Sequence, residues 1–562
     1  MTARARPPQS APQPRAPRFV LLELYRQAQG ARWERSAVIA AGAPHAMDIF
    51  IGIPRAGAVA APRPVDETVL PPSASGHQLR VVFTPLWRDA QNALLPAQTK
   101  EIHLPATGDS QRATFYFTAP PLLANLRARV IVLHQNRVLE TWLLRAGNGV
   151  AEAEPVLGIE NVVAQDFGAD TVAPAFDAAL LVNDNPQGVT GITAIAEGGA
   201  TFFEPEGIKI LIKDIRNDLS ALNAPEEETE EVIKGLDDER VHKLLYALAM
   251  RGVGLAKALK AVPQLAPLMA SGNRLQVVDA VSGAYFPVEF VYDGKAPAPT
   301  AQRCANAVAA LTNPDVHRTC PNRKDENYIC PAAFWGFSRC IERQPPRGQP
   351  GYVFSQPKAG ATTLRPLRQA LLAASKKVRA QDLGSPGGVE AVLAQAGAVV
   401  ARAGKWADWK TRVGSDKPSL LVLLPHSLVS LNVAHMPALE IGGDALESVR
   451  LDEDYVRPSP ESPPVVLLLG CSTTLPDIPF LSFVQEFKLA GAAVIVGTLA
   501  TIRGRQTVDF VRELLAGLKA AADTGGTFDE VFLKTKQRML AAGDPFVLSL
   551  VAYGDTGWRV KI

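Results

Sequence analysis

Two side chains in this 562-residue chain have both the type and the setting for covalent catalysis. His426 directly follows the aliphatic run Leu420-Leu421-Val422-Leu423-Leu424-Pro425, and Cys471 directly follows Val465-Val466-Leu467-Leu468-Leu469-Gly470. A thiol becomes a nucleophile when a base removes its proton or a cation holds its thiolate, and an imidazole can do either. Nearly continuous aliphatic runs read as strands buried on both faces of a parallel sheet. Ligands in such sheets bind beyond the carboxyl ends of the strands, so adjacent strands would bring His426 and Cys471 to one edge. The plain alternative for the same pair is a small buried thiol and a loop histidine. His435 competes for the role of base, but it lies farther from the strand end, beside Met436-Pro437, and a loop histidine is expected there.

A second group of reactive side chains is Cys304, Cys320, Cys330 and Cys340, with His317 among them. Intervals of 15, 9 and 9 residues separate these cysteines. Structural zinc sites favour cysteines two to four residues apart, so the spacing argues for unligated thiols and against a metal. No metal or other cofactor is expected to be needed for hydrolysis, since a thiolate and an imidazole suffice. Five cysteines, an odd and sparse set, do not form a disulfide framework, which points to a reducing cytoplasm and leaves Cys471 free.

The elements that must position these groups divide along the chain. Residues 1–18 hold four arginines and several prolines without a continuous apolar segment, and are expected to be a disordered basic tail rather than an export signal. Val20 to Ala41 leaves helix and strand open. From 45 to 150 the pattern is short β-branched or aromatic runs between Pro and Gly: Met47 to Ile53, Gln78 to Thr84 and Ala113 to Thr118. Leu126 to His134 and Arg137 to Arg145 flank Gln135-Asn136, a two-residue hairpin turn. Together these predict a β-sandwich accessory domain, expected to be a separable sensor or docking unit whose removal leaves the rest folded. Residues 151–203 show weak periodicity and predict a linker or irregular connection. From Ile208 an apolar face at helical spacing opens an α/β domain covering 204–562, with a second helix expected on Glu226 to Glu231 and strands on Leu275 to Val278, Phe286 to Tyr292, Ser419 to Leu424, Val465 to Leu469 and Ala493 to Val496.

Composition excludes several functions. Apolar residues make up 47% and charged residues 20%, an ordinary globular balance. With 58 basic against 56 acidic side chains the net charge is +2, far from that of a nucleic-acid binder. The apolar stretch Leu489 to Ile502 is interrupted by Gly491, Gly497, Thr498 and Thr501, so no membrane span is expected.

The motifs also carry a resemblance. Leu421-Val422-Leu423-Leu424-Pro425-His426 and Val466-Leu467-Leu468-Leu469-Gly470-Cys471-Ser472-Thr473 are similar to the histidine and cysteine motifs of the CHAT domain, a bacterial caspase-like and separase-like cysteine protease. The 45-residue interval is near the ~50 that separates histidine and cysteine in caspase-type enzymes. Leu489-Ala490-Gly491-Ala492, and Ala552-Tyr553-Gly554-Asp555 with Trp558, come next in the expected order. Phe286-Pro287-Val288-Glu289-Phe290-Val291-Tyr292-Asp293 resembles that family's Pro-Trp-Glu-Leu-Leu-Tyr segment, with Val288 in place of tryptophan. The resemblance spans about 204–562. It implies a caspase-hemoglobinase fold, peptide hydrolysis through a thioacyl-enzyme on Cys471, and His426 as base and acid. The oxyanion would be held by backbone N–H groups of Cys471 and of a residue just past His426. Ser427 and Ser472 depart from the family, which commonly has Gly or Thr and Glu at those positions. Members often serve in defence or regulated cell death, cleaving a partner such as a gasdermin. The expected function is thus a cytoplasmic endopeptidase acting on a protein partner and latent until an activating partner or ligand arrives. A catalytically dead interaction scaffold and a small-molecule thiol hydrolase are the alternatives.

Overall fold

A computed structural model of the chain describes residues 16–28, 32–65, 67, 70, 73–163, 175–184, 189–222, 233, 235–280, 285–346, 363–429, 436–456, 463–470, 479–500 and 504–561. The expected acidic helix at Glu226 to Glu231 lies outside them.

The first part is all β. One sheet runs Trp33–Ser36, Phe19–Gln27, Pro44–Gly52, Ala113–Thr118, with Val59–Pro64 also paired to Phe19–Gln27. The other runs Pro155–Val162, Arg137–Ala146, Arg127–His134, His77–Pro85, Gln98–Leu104. The region left open between helix and strand is therefore strand, as its alternating Leu22 and Leu24 require when one face packs inward. The hairpin turn holds Gln135 and Asn136 at φ 51° and 58°, both left-handed, the geometry that matches the twist of its strands. Between the sheets lies a core that includes Leu22, Ile49, Phe83, Phe115, Val130 and Trp142.

Residues 151–203, expected as a linker, instead carry Pro155–Val162 of the sandwich and three strands of the next sheet, Ala178–Asp184, Thr190–Ala196 and Gly199–Phe203. Residues 178–183 and Thr190–Ala196 are hidden by burial on both faces, which removes the alternation that marks a half-buried strand.

The second part is built on an 11-stranded sheet in the order Gly199–Phe203, Thr190–Ala196, Ala178–Asp184, Arg274–Asp279, Cys340–Gln344, Leu550–Gly554, Val494–Thr498, Val465–Leu468, Leu420–Leu424, Gln369–Ala374, Val399–Ala403. Pairing is parallel except in the hairpins at the first edge and between Leu550–Gly554 and Val494–Thr498. Two parallel blocks of opposite polarity thus meet at one antiparallel seam. Helices cover the sheet: Ile208–Leu222, Glu239–Lys260, Pro479–Leu489, Gly504–Thr524 and Phe528–Ala541. Asp238 starts the second of these by accepting the Arg240 amide at 3.0 Å. The chain is accordingly an N-terminal β-sandwich followed by a mixed, mostly parallel α/β domain, the class expected from its sequence. No helix of the described residues is long and apolar enough to cross a membrane.

Phe286 to Tyr292 is not a strand. It holds a single 3-10 turn, Val288–Phe290, packed so closely under the Glu239–Lys260 helix that a Cβ on Gly252 would stand 2.2 Å from the Phe290 carbonyl oxygen. Burial explains the apolar run, while Pro287 lacks the amide a central strand needs.

The sandwich is not a free appendage. Val82, Ile131, Leu133 and Val138 share a core with Ala179, Leu181, Ile195 and Val278 of the large sheet. Across the same contact Arg137 pairs with buried Glu342 at 3.0 Å, and the Val138 amide donates to Gln276 Oε1 at 2.7 Å. Removing residues 1–150 would expose that apolar face and take the arginine from a carboxylate with no solvent access. The truncated chain is therefore expected to be less stable than the intact one, which a lower melting temperature would check.

The sandwich also carries a pH-dependent contribution. Burial, then the charges of His77 and Arg137, lower the His134 imidazole from 6.5 to about 4. The unfolded imidazole gains its proton near 6.5 while the folded one resists until about 4, so stability is full above 6.5 and declines as pH falls through that window. His134→Gln is expected to reduce the fall in melting temperature between about pH 7 and pH 4.5. An unchanged slope would remove His134 from the account.

Candidate active site

The site grows from strand ends. Gln369–Ala374, Leu420–Leu424, Val465–Leu468 and Val494–Thr498 are neighbours and parallel, so their carboxyl ends lie along one edge. Their aliphatic side chains have no room for solvent: Leu421, Val422, Leu423, Val466, Leu467 and Leu468 are fully buried. A rigid platform therefore carries the residues just past these strands.

Beyond Leu424 and Leu468 the two chains stay in register. The Leu469 amide donates to the Leu423 carbonyl at 2.8 Å. Gly470 then lies against Pro425 so tightly that a Cβ there would stand 2.7 Å from the Pro425 carbonyl oxygen. Only glycine allows that approach. Thr498 Oγ1 donates to the Gly470 carbonyl at 3.4 Å and ties the third strand to the same spot.

His426 comes next after Pro425 and begins a short strand, His426–Val429, that pairs antiparallel with Pro437–Ile441. The imidazole is half-buried. Cys471 comes next after Gly470 and lies outside the described residues, as does His435.

Around His426 stand groups that the strand-end motifs alone did not single out. Lys377 Nζ donates to His426 Nε2 at 2.7 Å, which puts the proton of a neutral ring on Nδ1. Lys377 is held in turn by its amide donating to Ser375 Oγ at 3.1 Å, and the Ser375 amide donates to the Leu424 carbonyl at 2.8 Å. Ser375 Oγ donates to Glu440, the residue directly across the hairpin from His426. The Gly443 amide also donates to Glu440. A signal for this cluster was present: Ser375-Lys376-Lys377 comes directly after the run Gln369-Ala370-Leu371-Leu372-Ala373-Ala374, and residues past a buried strand are the ones to weigh. Ser427, which departs from the family pattern, sits in the same hairpin opposite Leu439.

The cysteine group contradicts its spacing. Cys304, Cys320 and Cys330 are buried with their sulfurs all within 4.8 Å of one another, and Cys304 and Cys320 are 3.6 Å apart. The short helices and turns that separate them in sequence fold back on one point, which no local spacing rule can register. His317 is outside the group, its Nδ1 against the Ala310 carbonyl at 2.8 Å. Cys340 is outside it too, and burial pushes its thiol up. The aromatics of Phe334-Trp335 pack, with both side chains fully buried.

The described chain is thus a β-sandwich docked on a mostly parallel α/β sheet, with His426 just past one of two adjacent parallel strands. The chain matches no family model and no curated protein. Its structure is distantly similar to gingipain R, the Arg-specific cysteine proteinase RgpB of Porphyromonas gingivalis, at 11% identity over 63% of this chain and 76% of that one, with a TM-score of 0.30. It is also distantly similar to the separase of Saccharomyces cerevisiae in its complex with securin, at 11% identity over 68% of this chain and 30% of that one, with a TM-score of 0.35.

Proposed function

We propose that the chain is a cysteine endopeptidase of the CHAT kind, with Cys471 as nucleophile and His426 as base and acid. One observation carries the reading: Pro425 and Gly470 are in contact, and His426 and Cys471 each come next across a single peptide link of ~3.8 Å. In the reaction the thiol proton passes to the imidazole as sulfur attacks the scissile carbonyl. The C–N bond then breaks as the imidazole returns that proton to the leaving amine. Water, deprotonated by the same imidazole, releases the acid and restores the thiol.

Latency is part of the proposal. A neutral imidazole with its proton on Nδ1 can take another only at Nε2, and Lys377 occupies that lone pair. Moving Lys377 aside would free the base. The proposed substrate is a protein partner in a reducing cytoplasm, of the gasdermin type in a defence setting, and the activating signal acts on the Lys377 contact.

The test is exposure of the purified full chain and its Lys377→Met variant to a protein-derived peptide library, with new termini read by mass spectrometry. Cleavage at a defined set of bonds, faster in Lys377→Met, is the expected result. No cleavage by either chain, with Cys471 intact and reduced, would favour the interaction scaffold. Turnover only of small thioesters or amides would favour the thiol hydrolase.

A further inference from the structure

We propose that Cys304, Cys320 and Cys330 bind one zinc ion as thiolates, and that the ion fastens the segment around 301–333 without entering peptide hydrolysis. The geometry is close to that of a filled site. Thiolates at ~2.3 Å from a tetrahedral zinc lie ~3.8 Å from one another. Here Cys304 and Cys320 Sγ are 3.6 Å apart and all three sulfurs fall within 4.8 Å of one another.

The backbone around each sulfur favours its charged form. The backbone N–H groups of Asn306, Asn322 and Ala332 each act to hold the thiols of Cys304, Cys320 and Cys330, in that order, toward the thiolate form. In every case the donor is two residues beyond the cysteine. At two of the three positions the intervening residue is proline, Pro321 and Pro331, which has no N–H of its own and a fixed φ that suits the turn. The Asn322 side chain adds a further donor, its Nδ2 lying 3.4 Å from Cys304 Sγ. A neutral thiol is a weak acceptor, whereas a metal thiolate carries charge that such donors stabilise. Three buried sulfurs within 4.8 Å of one another, each in a turn that favours the thiolate, fit a shared cation better than three separate buried thiols. A single disulfide would use two of the sulfurs and leave the third beside it.

The surrounding chain shows why a staple is useful there. Between Ala301 and Phe337 the longest regular elements are two six-residue helices, Ala307–Thr312 and Pro314–Thr319, and the strands Gln302–Arg303 and Tyr328–Ile329 have two residues each. The cysteines tie the entry to the first helix, the exit of the second and the turn at Pro331–Ala333 to one point. The Cys330 amide also donates to the Tyr292 hydroxyl at 3.0 Å, connecting the point to the turn beneath the Glu239–Lys260 helix. Binding releases the thiol protons to solvent as the Zn–S bonds form, and nothing is oxidised or reduced. The fourth position falls to a non-sulfur ligand such as water.

The experiment uses the full chain, purified with reductant from zinc-supplemented cells and dialysed before elemental analysis. About one zinc per chain is expected, lost in Cys304→Ser, Cys320→Ser and Cys330→Ser but kept in Cys340→Ser and His317→Gln. Because a ligand variant can fail to fold, cobalt is exchanged into the unaltered chain in parallel. A strong near-ultraviolet thiolate-to-cobalt band with tetrahedral visible absorption supports the site. The proposal is overturned by an unaltered chain with less than about 0.1 zinc per chain and no such band. Zinc retained in all three ligand variants would also overturn it, as would a native disulfide joining two of the three cysteines. Cys471→Ala is expected to keep its zinc, so this outcome is independent of the peptidase reading.

Discussion

Replacing Cys471 by Ala is expected to abolish peptide cleavage, a loss of at least about 10⁴-fold, with the circular dichroism of the unaltered chain preserved. Only a sulfur atom is removed, whereas the platform beneath it is the fully buried Val465–Leu468 strand. His426→Ala should stop turnover to a similar degree, because nucleophile and base act as a unit and their losses are not additive. The two variants separate in one respect. Without His426 the thiol remains and reacts with iodoacetamide, more slowly at neutral pH because its thiolate has lost a stabilising partner. His435→Ala should retain most activity, since a residue farther along the loop is harder to hold within the ~0.5 Å that proton transfer demands. An active His426→Ala beside an inactive His435→Ala would reverse the assignment. Activity of Cys471→Ala on the same bond would end the proposal of a thioacyl-enzyme.

The largest stability effect is expected at Arg343. Its guanidinium has no solvent exposure and reaches Glu289 Oε2 at 2.9 Å, Asp279 Oδ1 at 3.3 Å and the Phe286 carbonyl at 2.9 Å. The Tyr285 ring covers it at 4.4 Å. Burial already pushes the Asp279 carboxyl up to about 7 against the pull of Arg343. Arg343→Met keeps the apolar stem and removes the charge, leaving two buried carboxylates without their cation. Breaking a buried pair in this way costs about 3–5 kcal/mol. A clearly lower urea midpoint of the unit containing the large sheet is the expected reading. Arg412→Ala, which removes an exposed partner of Asp416 one helical turn away, should shift it by no more than ~0.5 kcal/mol. Equal shifts in the two variants would mean that the buried network contributes no more than a surface pair.

The parts of the molecule legible in the sequence are those whose signal is local. Alternation with Pro and Gly boundaries marked Ala113–Thr118 to the residue, and the hairpin about Gln135-Asn136 came from a turn that needs left-handed residues. Continuous aliphatic runs marked Leu420–Leu424 and Val465–Leu468, and so drew attention to His426 and Cys471. The misses share a cause. Residues 178–183 and Thr190–Ala196 are buried on both faces and lack a period, while Phe286 to Tyr292 is apolar because it lies under a helix, not because it pairs.

By itself, the sequence determined which residue types stand at the ends of buried strands, and that a β-sandwich precedes an α/β sheet, because hydrophobic period and turn chemistry act over a few residues. Only the tertiary structure decided what those ends face. It set the contact of Pro425 with Gly470, the seating of Lys377 on His426 and the docking of Arg137 on Glu342. It also drew Cys304, Cys320 and Cys330 to one point. Each of these joins segments far apart in the chain, and such contacts arise from strand order, register and the closure of long loops, none of which leaves a periodic trace in the residues themselves.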